Sequence, residues 1–199
     1  MKKEIYDTII VGVGGQGVLT IAAILARAAV KQGFDVKASE LHGLAVRFGS
    51  LSVHLRIGKK KIMSPMVGGG NADLLIAHEP LEALKALKFA NKDTVIMFDT
   101  KRQIPNITYR DEIHYPLITE VKKTLKSVSK KVIEMDATYA TEKETKYTML
   151  ANAYILGRVT KEKVLPLSRE AVLYAMKSVV PEKSLADNIK IFNLGYKSK

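Results

Sequence analysis

Tyr6-Asp7-Thr8-Ile9-Ile10-Val11-Gly12-Val13-Gly14-Gly15-Gln16-Gly17 is the stretch on which the fold turns. Its first half, Tyr6 to Val11, is short, apolar and rich in β-branched side chains, which reads as a buried strand. Its second half sets Gly12, Gly14 and Gly17 in the spacing G-x-G-x-x-G. A helical pattern follows from Val18 to about Gln32, with Gly33 where a helix-ending glycine belongs. Phe34 to Leu41 reads as a second strand. Strand, glycine loop, helix and strand together open a doubly wound α/β sheet. In that setting the first glycine permits the tight turn, the second lets a phosphate approach the backbone, and the third lets helix pack on strand. Amide groups at the start of the helix would hold an anion, helped by the helix dipole. Gly12, Gly14, Gly15, Gln16 and Gly17 are therefore the candidate anion-binding loop.

Further along, Leu51, Val53, Leu55 and Ile57 alternate with Ser52, His54 and Arg56, the period of a strand. Gly58-Lys59-Lys60-Lys61 reads as a hairpin turn returning through Ile62 and Met63. A hairpin at this place implies a mixed sheet. Gly68-Gly69-Gly70-Asn71 reads as a loop before a strand over Asp73 to Ala77. A helix over Leu81 to Ala90 and a strand over Thr94 to Phe98 complete a second unit. Residues 100 to 116, polar with two prolines, read as irregular. From Leu117 an amphipathic helix shows lysines on its outer side, and a strand over Val132 to Met135 follows. The remainder reads as helices: Glu142 to about Arg158, Ser168 to Val179 with Ser168 as N-cap, and a last one after Pro181 to about Gly195. The expectation is a three-layer α/β/α fold with a mixed, Rossmann-like sheet, one domain over 1–199, and a helical part over about 142–199.

With 199 residues, 47% of them apolar, the chain is long enough to bury a sizeable core. It contains no Cys, which removes disulfides, thiol nucleophiles, Cys-ligated zinc and cysteine-held iron–sulfur clusters. Any redox centre with thiolate ligands must sit on another chain. No apolar run reaches the length of a membrane span, and Lys2-Lys3 is followed at once by Glu4 and Asp7, unlike a signal peptide. A cytoplasmic protein is expected. The net charge of +12 suits nucleic acid, a phosphorylated ligand or an acidic partner, and equally a lysine-rich solvated surface. Without Trp or basic–aromatic alternation, base stacking has little support.

Glu40 lies where a nicotinamide-dinucleotide enzyme keeps its ribose-binding acid. That reading makes the chain an NAD-dependent oxidoreductase. Yet Glu40 opens a cluster, Glu40-Leu41-His42-Gly43-Leu44-Ala45-Val46-Arg47-Phe48-Gly49-Ser50, that gathers an acid, an imidazole and a guanidinium in one glycine-punctuated loop. Loops of this kind serve binding or catalysis; a structural Glu40–Arg47 pair is the plain alternative. His42, His54, His78 and His114 have no metal-ligand spacing, and His54 and His78 read as structural. The P-loop signature is absent.

Val11 to Gly17, Ser39-Glu40-Leu41-His42-Gly43, Arg47-x-Gly49-Ser50, Arg56-Ile57-Gly58, Asp73 to Ile76, Glu79 to Leu84, Asn152 to Gly157 and Asn188 to Gly195 resemble the gamma-type subunit of 2-oxoacid:ferredoxin oxidoreductases. The Glu-x-His-Gly form is most similar to the beta subunit of the indolepyruvate enzymes. Where the family usually has Arg-Gly-Gly, this chain has Arg47-Phe48-Gly49. The resemblance implies a complex that oxidatively decarboxylates a 2-oxoacid to an acyl-CoA and passes electrons to ferredoxin. Thiamine diphosphate and 4Fe-4S clusters would belong to a larger partner subunit, and this chain would contact CoA. Its site residues would be Glu40, His42 and Arg47 lining a shared active site, with Ser50 and the glycine loop on the cofactor side. Ferredoxin would be an indirect partner, and neither nucleic acid nor a membrane would be one. The rival readings are a free-standing NAD-dependent enzyme and a basic protein binding nucleic acid or phosphorylated ligands.

Overall fold

The computed structural model describes residues 3–42, 49–103, 115–145 and 150–198. Within them lie β1 (Ile5–Val13), α1 (Val18–Lys31), β2 (Asp35–His42), β3 (Ser50–Gly58), β4 (Leu74–Ala77), α2 (Pro80–Lys85) and a 3-10 turn (Ala86–Phe89). They continue with β5 (Val95–Asp99), α3 (Ile118–Val128), β6 (Lys131–Met135), α4 (Ala137–Thr145), α5 (Ala151–Glu162), α6 (Arg169–Val179) and α7 (Glu182–Lys197).

The six strands form one sheet in the order β2-β3-β1-β4-β5-β6. β1, β4, β5 and β6 run parallel, while β3 is antiparallel to both β1 and β2. The pleat sends alternate residues to opposite faces. Ile10, Val53, Leu55, Ile76 and Met97 pack with α1 and the C-terminal helices, whereas Ile9, Val11, Leu75, Ile96 and Phe98 pack with α2 and α3. This is the expected three-layer mixed α/β fold with a helical C-terminal part.

α1 buries Val18, Ile21, Ala22, Ile24, Leu25, Ala28 and Ala29, the stripe that the 3.6-residue period aligns on one side. It ends at Gln32, and Gly33 takes φ 79°, letting Phe34 N–H donate back to Ala29 O at 3.1 Å. α6 starts as its sequence foretells, with Ser168 Oγ accepting from Ala171 N–H at 3.1 Å.

The sheet is mixed for a different reason from the one expected. Residues 62 and 63 form no strand, because both edges of β3 are already taken by β1 and β2. Buried Ile62 instead donates its N–H to Asp35 Oδ2 at 2.6 Å, and Arg56 Nη1 donates to Ser64 O at 3.0 Å. The segment thus crosses the sheet instead of pairing with it. The helix expected over Leu81 to Ala90 narrows to a 3-10 turn after Lys85. Of the helix expected from Glu142 to about Arg158, residues 142–145 belong to α4, which begins earlier, and 151–158 to α5, while 146–149 lie outside the described residues. The middle of the irregular stretch, 104–114, lies outside the described residues, as do 43–48.

α5 and α7 cross at two glycines. A Cβ on Gly157 would lie 2.1 Å from Phe192 O, and one on Gly195 would lie 2.1 Å from Tyr154 O. Backbone meets backbone there, so no side chain can yield. Gly157→Ala should destabilise the fold by about 1–3 kcal/mol, the usual cost of overpacking, read as a lower urea midpoint. Unchanged stability would show that the two helices are not in this contact.

Candidate functional site

An open α/β sheet leaves a crevice at the carboxyl ends of its parallel strands, and the glycine loop lies there. At Gly12 a Cβ would come within 2.8 Å of both Gln16 Oε1 and Val18 Cγ2. Gln16 closes the turn: its N–H donates to Val13 O at 3.1 Å, and Val13 N–H donates to Gln16 Oε1 at 2.7 Å. Gln16 Nε2 donates onward to His78 O at 3.2 Å. Gly14 N–H donates to Gly49 O at 2.9 Å. The loop is thereby tied both to the end of β4 and to the start of β3. Gly15 has φ 98° and faces open space, a backbone conformation that L side chains rarely adopt.

Gly15, Gln16 and Gly17 form one wall of a cleft of about 1130 Å³. The starts of α1, α5 and α7 all border it, and at none of the three does the N-cap residue's own side chain (Gly17, Leu150, Pro181) cap the helix. Three positive dipole ends therefore converge with Lys101, Arg102 and Lys183 on the same space. Lys101 Nζ lies 3.4 Å from Glu142 Oε1, and the Arg102 guanidinium stacks 5.2 Å over the Tyr115 ring. Tyr115 in turn donates its hydroxyl hydrogen bond to Glu79 Oε1. Burial pushes the Glu79 carboxyl above its ordinary value, although Tyr115 and the Glu82 N–H oppose the shift.

At the floor of the cleft, His78 follows the last residue of β4 and Asp99 ends β5, side by side, one residue beyond the Ala77–Phe98 pair. Both are buried. Asp99 Oδ2 accepts from Thr138 N–H at 3.2 Å and from Thr138 Oγ1 at 2.5 Å, so it holds the first turn of α4. Burial nevertheless pushes its carboxyl up. His78 is pushed down to about 4 by burial alone and is neutral at pH 7. Asp99 Oδ1, His78 Nε2 and Asn152 Oδ1 are buried and have no hydrogen-bond partner among the described residues.

Of the residues singled out in the sequence, Gly15, Gln16 and Gly17 line the cleft, while Gly12 and Gly14 shape the turn behind them. Glu40 and His42 do not line it. They lie on β2 at the open edge of the sheet, both exposed, with Oε2 and Nε2 3.9 Å apart. Ser50 begins β3 and packs against α2: its hydroxyl donates to Glu82 Oε1 at 2.8 Å and accepts from Lys85 Nζ at 2.9 Å. Arg47 and Phe48 lie outside the described residues. Because β3 stands between β1 and β2, Glu40 is two strand spacings, roughly 10 Å, from the line of β1. It is therefore not where a dinucleotide's ribose would meet it. Sequence reasoning missed Asp99, Thr138 and the cationic rim. A polar residue closing an apolar strand run, as His78 and Asp99 do, was the available signal; Lys183 carried none. Among the described residues no group of three or more His, Asp or Glu is placed to hold a metal ion.

His78 ties stability to pH. The unfolded chain takes up this proton below 6.5, whereas the folded protein resists until about 4. Stability should fall by about 3 kcal/mol as pH drops through that window. Buried Glu79 and Asp99, with raised values, act in the opposite sense. The test is therefore the difference from His78→Asn in urea unfolding at pH 7 and at pH 4.5. Equal slopes in the two proteins would refute a buried neutral imidazole.

Residues 7–198 match the family description "pyruvate ferredoxin/flavodoxin oxidoreductase". The chain is 36% identical over 190 residues to indolepyruvate oxidoreductase subunit IorB of Archaeoglobus fulgidus, covering 96% of this chain and 93% of that one. Its fold is similar to that of the gamma subunit of a keto/oxoacid ferredoxin oxidoreductase from Geobacter sulfurreducens, with TM-score 0.70, 22% identity and 96% of each chain covered. It also resembles part of the 2-oxoglutarate:ferredoxin oxidoreductase of Magnetococcus marinus, a structure with 2-oxoglutarate, coenzyme A and succinyl-CoA bound. There the TM-score is 0.73 at 17% identity, and 98% of this chain covers 31% of that one.

Proposed function

The chain belongs to the pyruvate ferredoxin/flavodoxin oxidoreductase family, and from that premise we propose how its cleft serves the reaction. It is the small subunit of a 2-oxoacid ferredoxin oxidoreductase of the indolepyruvate type. Such a complex oxidatively decarboxylates a 2-oxoacid to an acyl-CoA and passes the electrons to ferredoxin. Neither the free-standing NAD-dependent enzyme nor the nucleic-acid-binding protein finds support in the relatives. The edge position of Glu40 weighs independently against the first.

The larger partner holds thiamine diphosphate and the 4Fe-4S clusters; this chain has no Cys with which to bind a cluster. What this chain offers is the cleft, and the convergence of three helix starts, none capped by its own N-cap side chain, with Lys101, Arg102 and Lys183 carries the reading. That arrangement fits the nucleotide end of CoA, whose phosphates need amide donors and cations. Gly15 leaves room for them to approach the backbone, and Gln16 keeps the loop from moving as they bind. CoA supplies the thiol that accepts the acyl group. Glu40 and His42, at the exposed end of β2, line with Arg47 the active site shared with the larger subunit, with Arg47 opposing a carboxylate or phosphate. Ser50 anchors the chain where it returns to the sheet beside the glycine loop. The chain acts as one gamma-type domain in the cytoplasm; none of its described helices is long and apolar enough to cross a membrane.

Anaerobic purification of the tagged chain from its native source tests the assignment. A larger co-purifying chain with iron–sulfur absorbance and indolepyruvate-dependent dye reduction is expected. A lone colourless chain that binds NADH at micromolar concentration would overturn it. Arg47→Ala should reduce turnover of the complex at least a hundredfold with an unchanged unfolding midpoint, and normal kinetics would remove Arg47 from the site.

A further inference from the structure

His78, just past β4, and Asp99, the last residue of β5, stand at the ends of adjacent parallel strands, and the alternation turns both side chains toward the α1 side of the sheet, where the cleft lies. They do not bond to each other. His78 Nε2 and Asp99 Oδ1 are each buried without a partner among the described residues. The backbone N–H groups of Lys101 and Ala137 lean toward the Asp99 carboxyl, yet Oδ1 receives no hydrogen bond of acceptable geometry. Leaving two such atoms unsatisfied costs free energy that a ligand group could recover. A neutral imidazole that carries its proton on Nε2 would offer a donor there, and the carboxylate beside it offers an acceptor. Close by, Ile24, Leu156 and Met176 give the cleft an apolar wall.

We propose that this floor reads the base of the CoA nucleotide: Asp99 Oδ1 accepts from the 6-amino group of the purine, and His78 Nε2 donates to N7, the neighbouring ring nitrogen that stays an acceptor in a 6-oxopurine. The inference rests on the CoA reading above and adds to it a residue pair that selects adenine. The chemistry of the pair decides which part of the ligand belongs there. Phosphates only accept, and a carboxylate at Asp99 would repel them toward the cationic rim. A trans amide points its C=O and N–H in opposite directions, so one such group cannot serve two neighbours on the same side. A flat aminopurine presents acceptor and donor on one edge, and its ring faces suit the apolar wall.

The pair permits a reversal test. Thr138 already donates twice to Asp99 Oδ2. In Asp99→Asn the amide oxygen keeps those bonds, and the amide –NH2 takes the place of Oδ1. The hydrogen-bonding sense at the floor is inverted while the start of α4 stays held. Binding of adenosine 3′,5′-bisphosphate and inosine 3′,5′-bisphosphate to the purified complex would be measured by calorimetry. Wild type should prefer the 6-amino compound at least tenfold, because a site built for a donor rejects the analogue that lacks it. Asp99→Asn should prefer the 6-oxo compound. Equal affinities in wild type, or a variant that shifts both ligands by the same factor, would overturn base reading and leave the CoA assignment standing. If neither nucleotide binds wild type, both fall. The wild-type comparison needs no variant, so a misfolded Asp99→Asn protein would not shield the proposal.

Discussion

One side-chain amide holds the working end of this molecule together. Gln16 accepts from the last residue of β1 and donates to the carbonyl just past β4. It therefore ties the glycine loop to the seam between two parallel strands and spans a turn too tight for a larger residue at Gly12. Everything around the cleft depends on that tie. α1 can start where it does, with its first amides turned toward the cleft, only because the loop before it is fixed. His78 is placed beside Asp99 by the same strand end whose carbonyl Gln16 grips.

The second constraint is the insertion of β3. In a Rossmann half the strand after the first helix lies beside the first strand, and its terminal acid meets the bound ribose. Here an antiparallel strand occupies that place, and the acid is displaced to the rim. The same glycine spacing thus serves a different architecture. The anion-binding turn survives, while the polar groups of β2 are turned outward, at the open edge of the sheet. The cleft deepens on its other side instead, where α5 and α7 approach to backbone contact at Gly157 and Gly195 and bring their helix starts to face the loop.

What could be read from the sequence follows the range of the forces involved. β1, α1, β2 and α6 are set by local periodicity, by Gly33 and by the Ser168 cap, and these stood out plainly. The Ile62–Met63 return did not form because the competitor for the edge of β3 was β1, far earlier in the chain, and no local signal carries that information. The glycine loop was legible because its chemistry is contained in six consecutive residues. The His78–Asp99 floor was not, because it is made by placing two strand ends in register, and each residue alone looks like an ordinary polar stop after an apolar run. Asn152 stood out only within a family resemblance, and its position against Gly17 is purely tertiary.

The position of β1 bears on how the sheet can assemble. β1 is central, yet the first residue it pairs with along the chain is Ser50, and its other partner is β4. β2 and β3, joined by residues 43–49 alone, can meet across a short closure, whereas β1 must wait for strands made much later and loses loop entropy for each. Such non-local pairing slows folding. The central strand thus rests on the sheet's longest-range pairings, and the anion-binding turn that it carries is fixed only once β3 and β4 are in place.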